Sequence, residues 1–170
     1  MKVLVTGSDG FIGKNICTFL KERNYIVLTV NRKTDKREFI SNIEEAEFIY
    51  HLAGINRPDN IDEFRSGNVD LTSFITDHLI KLKKNIPIVY ASSKQAEYDN
   101  EYGKSKLLGE KLILNYADTS DAKSYIYRFP NVFGKWCKPN YNSFVATFCH
   151  NVINEKDIII NDKKAKITLV

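Results

Sequence analysis

The chain has 170 residues, 43% of them hydrophobic, and carries 25 basic against 21 acidic side chains for a net charge of +4. That is length for one domain with a substantial core, and the two signs of charge are spread without long runs, which excludes a disordered chain and a nucleic-acid footprint and leaves mild attraction for anionic small molecules such as nucleotides. Three cysteines, Cys17, Cys137 and Cys149, have no metal-ligand spacing and cannot complete a disulfide framework, no apolar run approaches the ~18 residues of a membrane span, and no signal-peptide layout precedes the first strand, so a cytoplasmic protein with no membrane, metal or nucleic-acid partner is expected.

Val3, Leu4 and Val5 read as a buried parallel strand that runs straight into Gly7, Gly10 and Gly13, three glycines spaced three apart. This is the layout of a nucleotide-phosphate cradle. Gly7 lets the backbone turn, Gly10 removes the side chain where a pyrophosphate approaches, and Gly13 lets the following helix pack close. That helix, with Ile16, Phe19 and Leu20 on its apolar face, points unpaired N–H groups at the anion.

Residues 25–30 read as a second strand, followed by a charged stretch over 31–37 and a short helix over 39–46. A third strand over 48–52 ends in Ala53-Gly54, and a polar loop runs to Asn60. Leu71, Phe74, Ile75, His78, Leu79 and Leu82 trace a helical stripe, and residues 86–91 form a fourth, fully apolar strand. A helix starting near Tyr102 turns Leu108, Leu112, Ile113 and Tyr116 to the core. Residues 125–129 are a fifth strand, 144–153 a helix, and 157–160 and 167–170 are strand-like ends. Strands alternating with helices predict an α/β fold, a Rossmann-type doubly wound parallel sheet with helices on both faces, whose ligands lie beyond the carboxyl ends of the strands.

Three strand ends carry chemistry. After the second strand, where a carboxylate would hydrogen-bond the ribose of NAD, stand Asn31 and Arg32; neither repels a 2′-phosphate and Arg32 can pair with one, which favours NADP over NAD. After the fourth, Ser92 and Ser93 offer hydroxyls to a substrate oxygen. Tyr102 and Lys106 follow at i and i+4, one above the other on a helix face. An ammonium there favours the phenolate and draws the phenol down from its usual pKa of about 10, which makes Tyr102 a general acid. Tyr90 and Lys94 have the same spacing, but Tyr90 lies in an apolar strand and cannot meet Lys94 across a helical turn. His51, His78 and His150 read as structural.

Together these residues resemble the extended short-chain dehydrogenase/reductase family of nucleotide-sugar epimerases, dehydratases and reductases, over nearly the whole chain. Thr6-Gly-Ser-Asp-Gly-Phe-Ile-Gly13 is similar to its cofactor loop, which implies Gly7, Asp9, Gly10, Phe11, Ile12 and Gly13 as cofactor ligands with Leu52, Ala53, Gly54 and Pro130. Ser93, Tyr102 and Lys106 match the family triad: the Ser and Tyr hydroxyls hold the substrate oxygen, Tyr moves the proton, and Lys binds the nicotinamide ribose. Arg128-Phe-Pro-Asn131-Val-Phe-Gly134 looks like the segment that faces the sugar nucleotide, and Ser92, Asn131, Lys135 and Trp136 are the implied substrate residues.

Gly54-Ile-Asn-Arg-Pro58, Gly67-Asn68-Val69 and the run 134–143 resemble the capsular polysaccharide reductases of that family, the CapF type. The resemblance implies NADPH-dependent reduction of the C4 keto group of a UDP-2-acetamido-2,6-dideoxyhexos-4-ulose on the way to UDP-N-acetyl-L-fucosamine, and it admits a homodimer. Tyr102 follows Ser93 by nine positions, a short spacing similar to the capsular type and unlike a general epimerase. Such enzymes continue into more substrate lobe and a zinc-binding cupin, whereas this sequence stops in Ile-Thr-Leu-Val170, so the expectation is one incomplete domain over 1–170 without the cupin. The alternatives are an epimerase or dehydratase holding NAD, and a non-catalytic remnant that binds dinucleotide.

Overall fold

Val3, Leu4 and Val5 are fully buried in an inner strand of a five-stranded sheet, and their alternation divides the core in two. The computed structural model describes residues 1–141, 143–160 and 162–170; Asn142, inside the run 134–143, lies outside them. In chain order the elements are β1 (Lys2–Thr6), α1 (Phe11–Glu22), β2 (Ile26–Val30), α2 (Lys36–Glu45), β3 (Phe48–His51), a π-helical turn (Arg65–Asp70) leading into α3 (Leu71–Lys81), β4 (Ile88–Ser93), a 3₁₀ turn (Lys94–Glu97), α4 (Glu101–Ser120), β5 (Ser124–Phe129) and α5 (Phe144–Ile153). The strand order is β2-β1-β3-β4-β5, and β1 pairs with β2 and β3, and β3 with β4, in parallel. This bears out the predicted Rossmann-type sheet. Because β2 and β3 lie on opposite sides of β1, the winding reverses there, and the carboxyl ends of β1 and β3 border the crevice in which such sheets bind ligands.

Leu4 turns to one face with Ile43, Ile49, Ile75, Leu79, Ile88, Tyr90, Ile113 and Tyr116, so α2, α3 and α4 cover that side. Val3 and Val5 turn to the other, against Cys17 and Leu20 of α1. Each such aliphatic side chain, fully withdrawn from water, contributes roughly 1.5–3 kcal/mol. Contacts divide the chain into two units, Met1–Arg128 and Phe129–Val170.

Several boundaries differ from the sequence expectation. Pro87 has no N–H for a ladder, so β4 begins at Ile88 and extends to Ser93, which makes Ser92 and Ser93 strand residues. Helix α2 starts three residues early because the Asp35 carboxylate accepts the N–H groups of Arg37 and Glu38. Phe19, expected on the apolar face of α1, is 48% exposed and packs its ring against the Arg23 guanidinium instead. Leu108, expected in the core, is also 48% exposed.

In the second unit, Ser143 caps α5 by accepting the Ala146 N–H at 3.4 Å. The strand-like end 157–160 forms no strand among the described residues, and 167–170 contributes one bridge, Leu169 beside Asn131. Among the described residues no helix is long and apolar enough to cross a membrane.

Candidate active site

The glycine loop closes β1 onto α1 by steric necessity. Gly7 has φ +68°, and a Cβ there would stand 2.9 Å from the Ala53 backbone at the end of β3. A Cβ on Gly13 would overlap the Gly7 carbonyl oxygen. Gly10 has only that oxygen near its Cβ position, at 3.1 Å, and is exposed. Its N–H donates to Gly7 O at 2.9 Å, while its own carbonyl accepts the Lys14 N–H, the first bond of α1. The N–H groups of Phe11, Ile12 and Gly13 have no carbonyl behind them in the helix and present the positive end of α1 beside the carboxyl ends of β1 and β3. Ser8 ties the loop to the next strand, its N–H reaching Val30 O at 3.2 Å. A loop stripped of side chains at the points of closest approach fits a dinucleotide pyrophosphate. Asp9, beside it, is exposed.

Beyond β2, the Asn31 side-chain oxygen accepts the Lys33 N–H at 2.8 Å and closes a turn, leaving Arg32 exposed. At the end of β3, His51 is fully buried between β1 and α3. Its Nδ1 lies 2.8 Å from Thr6 Oγ1 and its Nε2 2.9 Å from Thr72 Oγ1. Thr72 gives its one proton to Asn68 O at 2.6 Å, so it must accept from Nε2–H; Thr6, which accepts the Ala53 N–H at 3.1 Å, then donates to Nδ1. Burial, with the Lys106 charge second, pushes this imidazole down to about 3, so it is neutral. It is structural, as the sequence reading had it, and it fixes the backbone that leads into Ala53 and Gly54.

Helix α4 brings in the phenol and the amine. Asn100 caps it through the Gly103 N–H at 2.8 Å. Tyr102, in its first turn, packs its ring 5.7 Å from that of Phe64. Lys106 is only 4% exposed; its Nζ is 3.2 Å from the Cβ position of Gly54 and 4.7 Å from the centroid of the Tyr90 ring. Burial, opposed by the Glu110 charge, lowers the amine to about 8.

Asn68 clamps these parts together. It accepts the Ile55 N–H at 2.8 Å, and its amide donates to Ile55 O and Ser105 Oγ, each at 2.9 Å; Ser105 in turn donates to Tyr102 O at 2.7 Å. The loop after β3 is thereby locked to the first turn of α4.

Ser93 Oγ accepts the Gln95 N–H at 3.2 Å, which leaves its hydroxyl as a donor at the end of β4. Ser92 is engaged elsewhere: its buried hydroxyl donates to Glu110. Pro130, Asn131, Lys135 and Trp136 belong to the second unit, where the Asn131 backbone pairs with Thr168 and Val170 and the Lys135 amine lies 4.5 Å over the Trp136 ring. Sequence reading missed Glu110 and the supporting parts played by Asn68 and Tyr90. The repeat of Tyr102, Lys106 and Glu110 every fourth residue was the available signal for the first.

The model of the NAD dependent epimerase/dehydratase family matches residues 3–167. The chain belongs to this family. Over its full length it is 47% identical to a Pseudomonas aeruginosa UDP-2-acetamido-2,6-beta-L-arabino-hexul-4-ose reductase, of which it spans 46%. It is 44% identical to the crystal structure of the capsular polysaccharide assembling protein CapF from Staphylococcus aureus, with a TM-score of 0.88 over all of this chain and 46% of that one. The UDP-glucose 4-epimerase of Thermotoga maritima, at 20% identity, shares the fold with a TM-score of 0.87 over all of this chain and 69% of that one. This epimerase/dehydratase family chain therefore spans about half the length of the two nearer relatives.

Proposed function

We propose that this chain is the dinucleotide-binding part of a UDP-sugar reductase. With NADPH it reduces the C4 keto group of a UDP-2-acetamido-2,6-dideoxyhexos-4-ulose, on the way to the capsular polysaccharide precursor UDP-N-acetyl-L-fucosamine. The observation that carries this reading is the buried Lys106 amine, one turn beyond Tyr102 and 3.2 Å from the Cβ position of Gly54, at the strand ends that border the glycine cradle. The 47% identity to a protein named for the reduction of such a sugar supports it.

Gly7, Gly10 and Gly13 with the first amides of α1 would hold the pyrophosphate. Arg32 would meet a 2′-phosphate, which favours NADP over NAD. Gly54 would let the nicotinamide ribose approach Lys106. When bound, NADPH supplies the hydride that the C4 carbonyl accepts. Tyr102 gives its phenolic proton to the carbonyl oxygen, Ser93 hydrogen-bonds that oxygen, and the Lys106 ammonium favours the phenolate left behind. Asn131, Lys135 and Trp136 would contact the sugar nucleotide. The reading carries a cytoplasmic location and admits a homodimer.

Titration with NADPH, followed by NADH, and then addition of the 4-keto sugar nucleotide tests it. NADPH binding tighter than NADH, with oxidation on adding the keto sugar and none in Tyr102→Phe, is the expected result. Absence of dinucleotide binding would overturn the reading, and equal turnover in Tyr102→Phe would remove Tyr102 as the acid.

A further inference from the structure

Glu110 is a carboxylate that the proposed chemistry does not use, yet it is only 5% exposed and accepts three hydrogen bonds. Arg128 Nε reaches its Oε1 at 2.9 Å and Arg128 Nη2 its Oε2 at 2.6 Å, a two-pronged pair between α4 and the end of β5. Ser92 Oγ–H donates to the same Oε1. The third prong of the guanidinium, Nη1, lies 3.3 Å from Glu97 Oε1 in the 3₁₀ turn that follows Ser93. One carboxylate and one guanidinium thus join the strand end that holds Ser93, the turn after it, the helix that holds Tyr102 and Lys106, and the strand that leads toward Pro130. The Glu110 carboxylate is buried but the Arg128 side chain is 37% exposed, and a pair half open to water adds little net stability, so stability does not account for it.

We infer that Glu110, held by Arg128, is a positioning residue that fixes the phenol and amine of α4 against the serines of β4. The inference rests on the roles given to Ser93, Tyr102 and Lys106 above. Glu110 stands one turn beyond Lys106 on the same helix face, so the couple that fixes the backbone also sets the field at the amine. The groups that face Lys106 are His51 from β3, Tyr90 from β4 and Glu110 from α4 itself; His51 is neutral and the phenol of Tyr90 is pushed up by burial, so Glu110 is the anion among them. Burial pushes the Glu110 carboxyl up, but the hydrogen bonds from Arg128 and Ser92 outweigh it and hold it below its ordinary value.

The test compares the wild-type chain with Glu110→Gln, which keeps the shape and loses the charge, and with the triple variant Ser92→Ala, Glu110→Leu, Arg128→Met, which replaces the whole network by apolar groups. Three quantities are read: the melting temperature, the pH titration of the Lys106 ¹³Cε resonance, assigned by its loss in Lys106→Arg, and the NADPH dissociation constant. A positioning role predicts a triple variant that melts within a few degrees of wild type, an amine that titrates about one pH unit lower in both variants, and NADPH binding about tenfold weaker. Folded variants with an unmoved Lys106 titration and unchanged NADPH binding would overturn it. Should the triple variant fail to fold, Glu110→Gln decides by the same criteria. If the wild type itself does not bind NADPH, the proposed function fails, while the titration still decides whether Glu110 governs the amine.

Discussion

The Lys106 amine sits 4.7 Å from the centroid of the Tyr90 ring, and both side chains are withdrawn from water. The ring offers its negative face to the cation, which is worth about 0.5–2 kcal/mol to a desolvated ammonium. The Tyr90 hydroxyl contributes nothing of the kind, since it is buried and closes no hydrogen bond among the described residues.

Tyr90→Phe and Tyr90→Leu should therefore part company. The Phe variant keeps the ring and sheds an unsatisfied hydroxyl, so its stability in urea should stay within about 1 kcal/mol of wild type or rise. The Leu variant loses the ring as well as volume and should fall by roughly 2–4 kcal/mol. Equal losses in both would mean that the hydroxyl, not the ring, supports the amine.

Burying Lys106 sets a stability cost that depends on pH. Its amine titrates at about 8 in the folded chain against an ordinary 10.5, so between these values the unfolded chain binds more protons and stability rises with pH. Below 8 both states are charged and the full cost is present; above 10.5 both are neutral and it is gone. Lys106→Met should be more stable than wild type by about 3 kcal/mol at pH 7, with the gap closing as pH rises toward 10.5. Urea denaturation of the two proteins at several pH values checks this, and a gap independent of pH would refute it.

The contrast between α1 and α4 explains what could be read in advance. The glycine spacing and the strand before it announced the loop, because the backbone at Gly7 and Gly13 leaves no room for a side chain. The Tyr102 and Lys106 spacing announced a shared helix face. Apolar periodicity placed Ile113 and Tyr116 of α4 in the core, where they are, but failed on the first half of the helix, whose buried face carries Ser105, Lys106, Gly109 and Glu110 rather than leucines, so Leu108 was assigned to a core it does not enter. A helix that seats its functional groups against a sheet must give up part of its apolar stripe, and that is where pattern reading loses it. The π-helical turn at Arg65–Asp70 was equally hidden, since its reason is the set of bonds Asn68 makes with a loop thirteen residues earlier.

Gly13 and Gly10 predict different failures. A methyl group on Gly13 overlaps the Gly7 carbonyl, and both atoms belong to backbone held by β1 and α1, so Gly13→Ala should lower the melting temperature by several degrees as well as weaken NADPH binding. At Gly10 the new methyl would meet one atom, the Gly7 carbonyl oxygen at 3.1 Å, a tight contact that a small backbone shift relieves because the surface is otherwise open, so Gly10→Ala should lose much less stability than Gly13→Ala while still losing affinity. Thermal melts beside fluorescence titrations with NADPH separate the two, and a Gly10→Ala variant that binds as tightly as wild type would show that the dinucleotide does not approach that bend.

Asn68 should hold the loop after β3 in a way that exchange can read locally. With Asn68→Ala, the Ile55 N–H and C=O lose their partners and Ser105 loses its donor, at about 1–3 kcal/mol for each group left buried without a bond. Native-state hydrogen exchange of the Ile55 amide should accelerate by at least about tenfold, whereas the Ala53 amide, held by Thr6 Oγ1 at 3.1 Å, should keep most of its protection. Acceleration of both amides to the same extent would mean that the variant opens the whole end of the sheet, and that Asn68 supports the fold at large rather than the join between this loop and the helix that holds Tyr102.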